Sequence, residues 1–372
     1  MGVKLEAYPL SVFPLPIDVS CSVPLREIHF GTCQFCTHQF LLTEADFDWI
    51  YGFAYKHYPM SCSEVYNYRE GFFNYINQLL VKKCNTALEI GCQNIDQASV
   101  LLSFATEVTG ISLDAIDARG KHCQVINGRF ESFQFDKKFD LVISQFVLEH
   151  VTDLNEHVIK LNEILTEDGL IVCQVPNPRR MSSDGLFNLL AHEHRHYFSK
   201  HSLYELFSIF GFNVKVVEVD NTLVVIAMRR QNALASSHQR SPQFIKLSDS
   251  VKLFDVAKIN RIIDFVTTSV AVENIVIYGA GLNSVAIFTY SEILRNRRNI
   301  VVVDDNALIR GKALPQTSYP ISNLQDLSPN TSYRFLVLAN QIYEEKIYEK
   351  INSHFPLAKI MSTNLIEFEQ RW

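Results

Sequence analysis

Between Lys83 and Asn177 the chain alternates short apolar runs with helical stretches, and no other feature narrows its possible folds as far. The runs are TALEI, LDAI, VING, DLVISQFVL and LIVCQV, with helical patterning up to about Val108 and again over Leu154–Leu165. Strands alternating with helices bury both faces of a parallel sheet, so the expected fold is a doubly wound α/β domain. A helix is expected over Ser202–Phe210. The β-branched runs NVKVVEV and TLVVIAM that follow, separated by Asp220-Asn221, predict a closing antiparallel pair.

At 372 residues the chain exceeds one ordinary domain. Residues 1–80 are rich in aromatic residues and proline and lack the alternation, so they read as a small separate N-terminal module. Residues 81–232 carry the α/β domain. A polar stretch opens the linker and helix read over 233–268. Residues 269–372 repeat the α/β pattern: NIVIYGAG, a helix over Ser284–Arg295, NIVVVDD, FLVLAN and a helix over Tyr343–Ser353 predict a second, Rossmann-like domain.

A hydrophobic fraction of 47%, a charged fraction of 20% and a net charge of −6 suit a globular protein and argue against a broad surface for a nucleic-acid polymer. No run approaches the ~20 apolar residues of a membrane span, and MGVKLEAYPL lacks the apolar core of a secretory leader. The expectation is a cytoplasmic protein without membrane contact. Its 8 cysteines are scattered, which in a reducing compartment implies free thiols or metal ligands, and only Cys33-Gln34-Phe35-Cys36 has ligand spacing.

In a doubly wound sheet the ligand lies outside the carboxyl ends of the strands, where glycine lets the backbone approach it. Glu89-Ile90-Gly91 ends the first run in such a turn, and Asp117, after LDAI, is the acidic candidate for a ribose diol. Gln145 and Phe146 end the run DLVISQ, Leu148-Glu149-His150 follows, and Pro176-Asn177 leaves the next strand at the same edge. From Ala87 to Asn177 these residues resemble the motifs of class I methyltransferases almost in order. That resemblance implies S-adenosylmethionine as methyl donor, held by Glu89, Gly91, Asp117, Gln145, Phe146 and His150. Where those enzymes carry a second glycine, this chain has Gln93-Asn94-Ile95.

His192-Glu193-His194 is followed by Arg195-His196-Tyr197-Phe198-Ser199. Three histidines and a carboxylate in so short a span are costly to bury unpaired, so they are expected to line a wet cleft. An extended segment would set the three imidazoles on one face, as a metal would accept, whereas a loop would fix nothing. The string HEHRHYFSKHSLYELFSIFGFNV resembles the HEH-x-x-Tyr-Phe-Ser signature of bacterial sugar C-methyltransferases, which methylate a nucleotide-linked keto-deoxysugar at carbon. YGAGLNSVAIF, VVDDNALIRGKALPQTSYPISNLQDL and LVLANQIYEEKI resemble the C-terminal domain of that family, and PLREIHFGTCQFC resembles its zinc module.

The resemblance implies His194 as general base, Glu193 as the carboxylate that tunes it, and a nucleotide-sugar substrate. Contacts to that substrate are expected from Tyr58, His192, His196, Tyr197, Tyr278, Asn283 and Asp304. For Zn2+ it offers Cys33 and Cys36, with Cys21, His29 and His38 available to complete the set. The chain departs from the family in two places: Ala191 stands where the family has tyrosine, and only one Cys-x-x-Cys pair is present where the family has two. O- or N-methylation of a sugar, or a non-catalytic scaffold on the same fold, are the alternatives. Gly279-Ala280-Gly281 also reads as Gly-x-Gly-x-x-Ser, a weak dinucleotide fingerprint, and sugar-nucleotide contact or a purely structural buttress are both open readings.

Overall fold

The computed structural model describes residues 4–44, 46–54, 63–113, 115–178, 191–220, 222–230, 274–339 and 341–362. Its strands in chain order are β1 Lys4–Pro9, β2 Leu25–Thr32, β3 Gln39–Leu41, β4 Cys84–Ile90, β5 Ala105–Ser112, β6 Ala118–Arg119, β7 Cys123–Asn127, β8 Phe139–Gln145 and β9 Leu165–Pro176. Then come β10 His196–Tyr197, β11 Phe212–Val219, β12 Thr222–Arg229, β13 Asn274–Tyr278, β14 Ile300–Val303, β15 Ile321–Ser322, β16 Tyr333–Val337 and β17 Lys359–Ser362. They form three sheets.

The largest runs β11-β12-β9-β8-β4-β5-β7-β6. Strand β4 pairs in parallel with β5 on one side and β8 on the other, while β12 lies antiparallel between β9 and β11. The doubly wound sheet and its closing antiparallel pair are therefore present. Successive side chains of β8 explain why its centre is apolar on both faces: Leu141 and Ile143 enter one core with Ala87 and Val108, and Val142 enters the core on the opposite face with Leu88 and Ile90.

Three elements differ from the sequence reading. The second strand is Ala105–Ser112, not LDAI, because the helix after β4 stops at Val100, a 3₁₀ turn covers Leu101–Ser103, and the Phe104 carbonyl accepts the Cys84 N–H. The helix Ser63–Leu79, assigned above to the N-terminal module, instead packs Phe72 and Ile76 into the core of the large sheet. In the C-terminal domain the expected helix over 284–295 is broken at Ser291 into Leu282–Tyr290 and Glu292–Arg295. The linker and helix read over 233–268 lie outside the described residues.

The helix Leu154–Ile164 starts where Asp153 accepts the N–H groups of Asn155 and Glu156 at 2.9 and 3.1 Å. It buries His157, whose Nδ1 lies 2.8 Å from Glu131. Burial works to raise the Glu131 pKa, but the hydrogen bond and charge of His157 outweigh it and hold the carboxyl below its ordinary 4.5. A depressed carboxylate stabilises the fold above its unfolded pKa and loses that contribution as pH falls through the folded value. Urea midpoints of the native protein are therefore expected to drop below about pH 4.5, and Glu131→Gln to flatten that limb; an unchanged acid limb in the variant would exclude this account.

The N-terminal sheet has the order β1-β2-β3-β10, so its last strand comes from the segment that contains His194. Pairing of His196 with Phe40 and Tyr197 with Gln39 makes that junction. The same N-terminal residues grip the C-terminal domain. Leu15 and Ala313 exchange both backbone hydrogen bonds at 2.9 and 2.8 Å, and Ser20 Oγ donates to the Thr317 carbonyl at 2.6 Å. Tyr8, Ile28, Ala191 and Tyr197 share one hydrophobic core with Ile275, Ile277 and Leu336.

The five-stranded C-terminal sheet, β15-β14-β13-β16-β17, is wholly parallel, as its Rossmann-like reading predicts. Gly279 closes β13 at φ +106, and a Cβ there would meet the Ala339 nitrogen at 3.1 Å and the Leu338 carbonyl carbon at 3.2 Å. Gly279→Ala is expected to destabilise this domain by about 1–3 kcal/mol. Gly281→Ala is the control, since a Cβ at 281 meets nothing within 4 Å. Equal thermal shifts for the two variants would refute the close approach.

Candidate active site

The order of the large sheet reverses between β4 and β8, and the carboxyl ends of these strands frame the crevice where ligands of doubly wound folds bind. Gly91 leaves β4 at φ +86 with its N–H on the Ile111 carbonyl at 2.8 Å, and a Cβ would stand 2.7 Å from Val147 Cγ2. Only glycine lets the β4, β5 and β8 exits approach so closely. Phe146 turns the β8 exit at φ +55, and its N–H donates to the Gln174 carbonyl at 2.9 Å. This backbone cradle fits a nucleoside-type ligand.

Glu89 is buried directly below the turn and does not reach out of it. Arg69 Nη1 lies 3.0 Å from Glu89 Oε1, and Gln97 Nε2 donates to the same oxygen at 3.1 Å. Gln97 also accepts the Gln93 N–H at 3.2 Å, while Asn94 caps the helix Ile95–Val100 by accepting the Gln97 N–H at 2.9 Å. The loop that lacks a second glycine is thus held in shape by its own side chains. Arg69 was missed in the sequence because it lies well before the first strand.

Two of the residues expected at the cofactor make contacts within the protein. Asp117 is exposed beyond the end of β5 and its Oδ1 accepts the Asn127 N–H at 2.6 Å; the strand itself ends at Ser112, which takes the position expected of the acid. The Gln145 amide donates to Gln174 Oε1 at 2.6 Å, and Gln174 in turn donates to Thr222 at 2.7 Å, so this side chain ties adjacent strands together.

The segment after Ala191 is a tight turn closed by the His194 N–H on the Ala191 carbonyl at 3.1 Å. Its three imidazoles therefore diverge. His192 is 1% exposed, donates Nε2–H to the Tyr8 carbonyl at 3.2 Å, and is held by burial at a pKa of about 4. His196 donates Nε2–H to the Val151 carbonyl at 2.9 Å, which makes its Nδ1 the acceptor for His38 Nε2 at 3.0 Å. Burial holds His196 at about 4 and His38 at about 3. Neither His192 nor His196 lines an open cleft, and the metal reading of all three on one face does not hold.

His194 goes the other way. Its ring meets that of His150 edge to face, with centroids 5.0 Å apart, in the 3₁₀ turn Leu148–His150 that follows β8. His150 donates Nδ1–H to the Glu193 carbonyl at 3.0 Å, and burial, reinforced by the facing His194, holds its pKa at about 3. Glu149, quoted in the sequence but given no role, is 2% exposed; burial, with the Glu193 charge adding to it, raises its carboxyl to about 8. A carboxylate enclosed by Leu148 and Val151 was the available signal.

The other expected substrate contacts are largely committed to the fold. Tyr197 is 4% exposed in the shared core, and burial raises its pKa. Tyr278 donates its hydroxyl to Asp305 at 2.9 Å, Asn283 donates to the Leu338 carbonyl at 3.3 Å, and Asp304 accepts the Ala280 and Asn306 N–H groups at 2.8 Å each. Asp304 thus caps the Gly-x-Gly turn from within the protein, as a structural buttress would. Tyr58 lies outside the described residues. Ala191 is 1% exposed in the core shared by three segments, so the tyrosine of the sugar C-methyltransferases would overfill it.

The expected zinc set does not converge. Cys33 and Cys36 face each other within a turn closed by the Cys33 N–H on the His38 carbonyl at 2.8 Å. Nε2 of His38 is engaged by His196, and the Cys21 thiol donates to the Thr317 carbonyl at 3.3 Å. Among the described residues, Glu149, His150 and His194 are the one group of three or more such side chains with ligand atoms within 4.8 Å of one another.

Fold and crevice together define a doubly wound nucleoside-binding domain with an acid–base cluster at its mouth. Residues 67–217 match the family model described as a methyltransferase domain, from within the helix Ser63–Leu79 to β11. The chain accordingly carries a methyltransferase domain over these residues. Similar solved structures include the 1,6-didemethyltoxoflavin-N1-methyltransferase of Burkholderia thailandensis, 16% identical, over 52% of this chain and 96% of that one, with a TM-score of 0.41. The N-methyltransferase NodS of Bradyrhizobium japonicum WM9 is 15% identical over 44% and 87%, at 0.34. A methyltransferase of Mesorhizobium loti is 15% identical over 43% and 98%, at 0.35. No curated protein matches the chain.

Proposed function

We propose that the protein transfers a methyl group from S-adenosylmethionine to a carbon of a nucleotide-linked keto-deoxysugar. The donor supplies an electrophilic sulfonium methyl. Gly91, Phe146 and the strand exits around them hold it at the switch point of the sheet, with Glu89 fixing the turn from below through Arg69 and Gln97.

His194 carries the reading. Of the three histidines in its segment, it alone stands against His150 at the mouth of the crevice. Its imidazole removes a proton from the carbon α to the sugar ketone, and the C–H electron pair becomes the enolate. That carbon then attacks the methyl group, the carbon–sulfur bond breaks with its pair on sulfur, and the neutral thioether leaves without needing a proton. The imidazolium returns its proton to water. Glu193, beside the base and 5% exposed, supplies a carboxylate that favours the imidazolium.

Deuterium exchange tests this. A nucleotide-linked 4-keto-deoxysugar incubated with the protein in D2O, without methyl donor, is expected to lose its α proton, and the product formed with donor to carry the new methyl on that carbon. A methyl found on oxygen or nitrogen, without exchange, would mean a different acceptor chemistry.

A further inference from the structure

The side chains of Glu149, His150 and His194 are placed so that a single ion could touch all three. One ligand atom from each lies within 4.8 Å of the others, and His150 Nε2 is 4.0 Å from Glu149 Oε1. Metal–ligand bonds of about 2.0–2.2 Å put two ligands of one ion at most about 4.4 Å apart, so small side-chain rotations close the set.

Three observations separate this cluster from an ordinary hydrogen-bonded one. The 4.0 Å separation is too long for a hydrogen bond between His150 and Glu149. His150 gives its Nδ1–H to the Glu193 carbonyl, which leaves the Nε2 lone pair directed at the cluster. That backbone anchor is how metal-binding imidazoles are usually oriented. Glu149 is 2% exposed, yet its Oε2 is buried without a hydrogen-bond partner, an arrangement that a cation would relieve. His194, only partly buried, leaves the remaining coordination positions open to water.

We propose that Glu149, His150 and His194 bind one divalent first-row transition ion, of the kind that two imidazoles and a carboxylate select, and that the ion blocks proton abstraction by taking the lone pair of His194. Binding itself is independent of the methyl-transfer reading; the block rests on His194 being the base. The ion is thus an inhibitor of turnover, and its removal activates the protein.

The test is a Co2+ titration of chelator-treated full-length protein, followed by visible absorption. One equivalent is expected to bind in the native protein and equally in the Cys33→Ser/Cys36→Ser double variant, with affinity reduced at least 100-fold in Glu149→Gln and in His194→Gln. His194 is the safeguard should Glu149→Gln fail to fold, since its side chain is partly exposed. Absence of binding, unchanged affinity in His194→Gln, or a thiolate charge-transfer band lost in the cysteine variant would each overturn the site. The second readout is α-proton exchange in D2O, expected to fall in proportion to Co2+ occupancy. Stoichiometric binding at these residues with undiminished exchange would overturn the block. No Co2+ binding, with exchange still lost in His194→Gln, would overturn the ion site alone and leave the base assignment standing.

Discussion

His194→Asn is expected to lower kcat for methyl transfer by about 10²–10⁴-fold, the usual contribution of a positioned general base, with little change in donor affinity. The α-proton exchange measured without donor should fall by the same factor, because both processes pass through the same proton removal. The substitution tests chemistry more than folding, since His194 is only partly buried whereas Glu193 and Glu149 are buried. His192→Asn and His196→Asn should behave differently: each breaks a hydrogen bond to a distant backbone carbonyl, at Tyr8 or Val151, and should lower stability more than it changes kcat of the folded fraction. A His194→Asn protein that keeps more than about a tenth of the native exchange rate would remove this residue from the mechanism.

Arg69→Met is expected to be the most destabilising single change in the large domain. Arg69 and Glu89 face each other at 3.0 Å with side chains 10% and 2% exposed, and Met would leave the carboxylate without its cationic partner. Stranding one member of a buried pair costs about 3–5 kcal/mol, which in a domain of this size lowers Tm by roughly 6–20 °C. The double variant Arg69→Met/Glu89→Gln should recover much of that loss, because the uncompensated charge is gone. A shift under about 2 °C for the single variant, or no recovery in the double, would mean that water reaches Glu89 and screens it.

Much of the large sheet was legible because strands covered on both faces are written as short apolar runs, and β4, β8 and β9 are such strands. The first half of strand β5 was read as helix because Thr106 and Glu107, exposed on its surface, interrupt the apolar pattern. The histidine segment stood out as chemistry, but which ring would face the crevice was not legible. That choice is made by Tyr8, His38 and Val151, residues 45 to 184 positions away. Tyr278, Asn283 and Asp304 show the converse difficulty, since polar residues at strand ends look alike whether they cap their own turns or meet a ligand. Glu149 was overlooked beside His150 because burial, not spacing, makes it unusual.

Residues 191–198 act as a keystone in which three parts of the protein meet. Ala191 and Tyr197 lie in the core shared by the amino-terminal sheet and the carboxy-terminal domain, whereas Phe198 enters the core of the large sheet. A polypeptide trimmed to the large sheet would keep the glycine turn of β4 and lose the frame that sets imidazole 194 against His150. On the proposed mechanism reactivity is owned by the assembly of these parts, and a tilt of the amino-terminal sheet would reach the proton-transfer geometry directly.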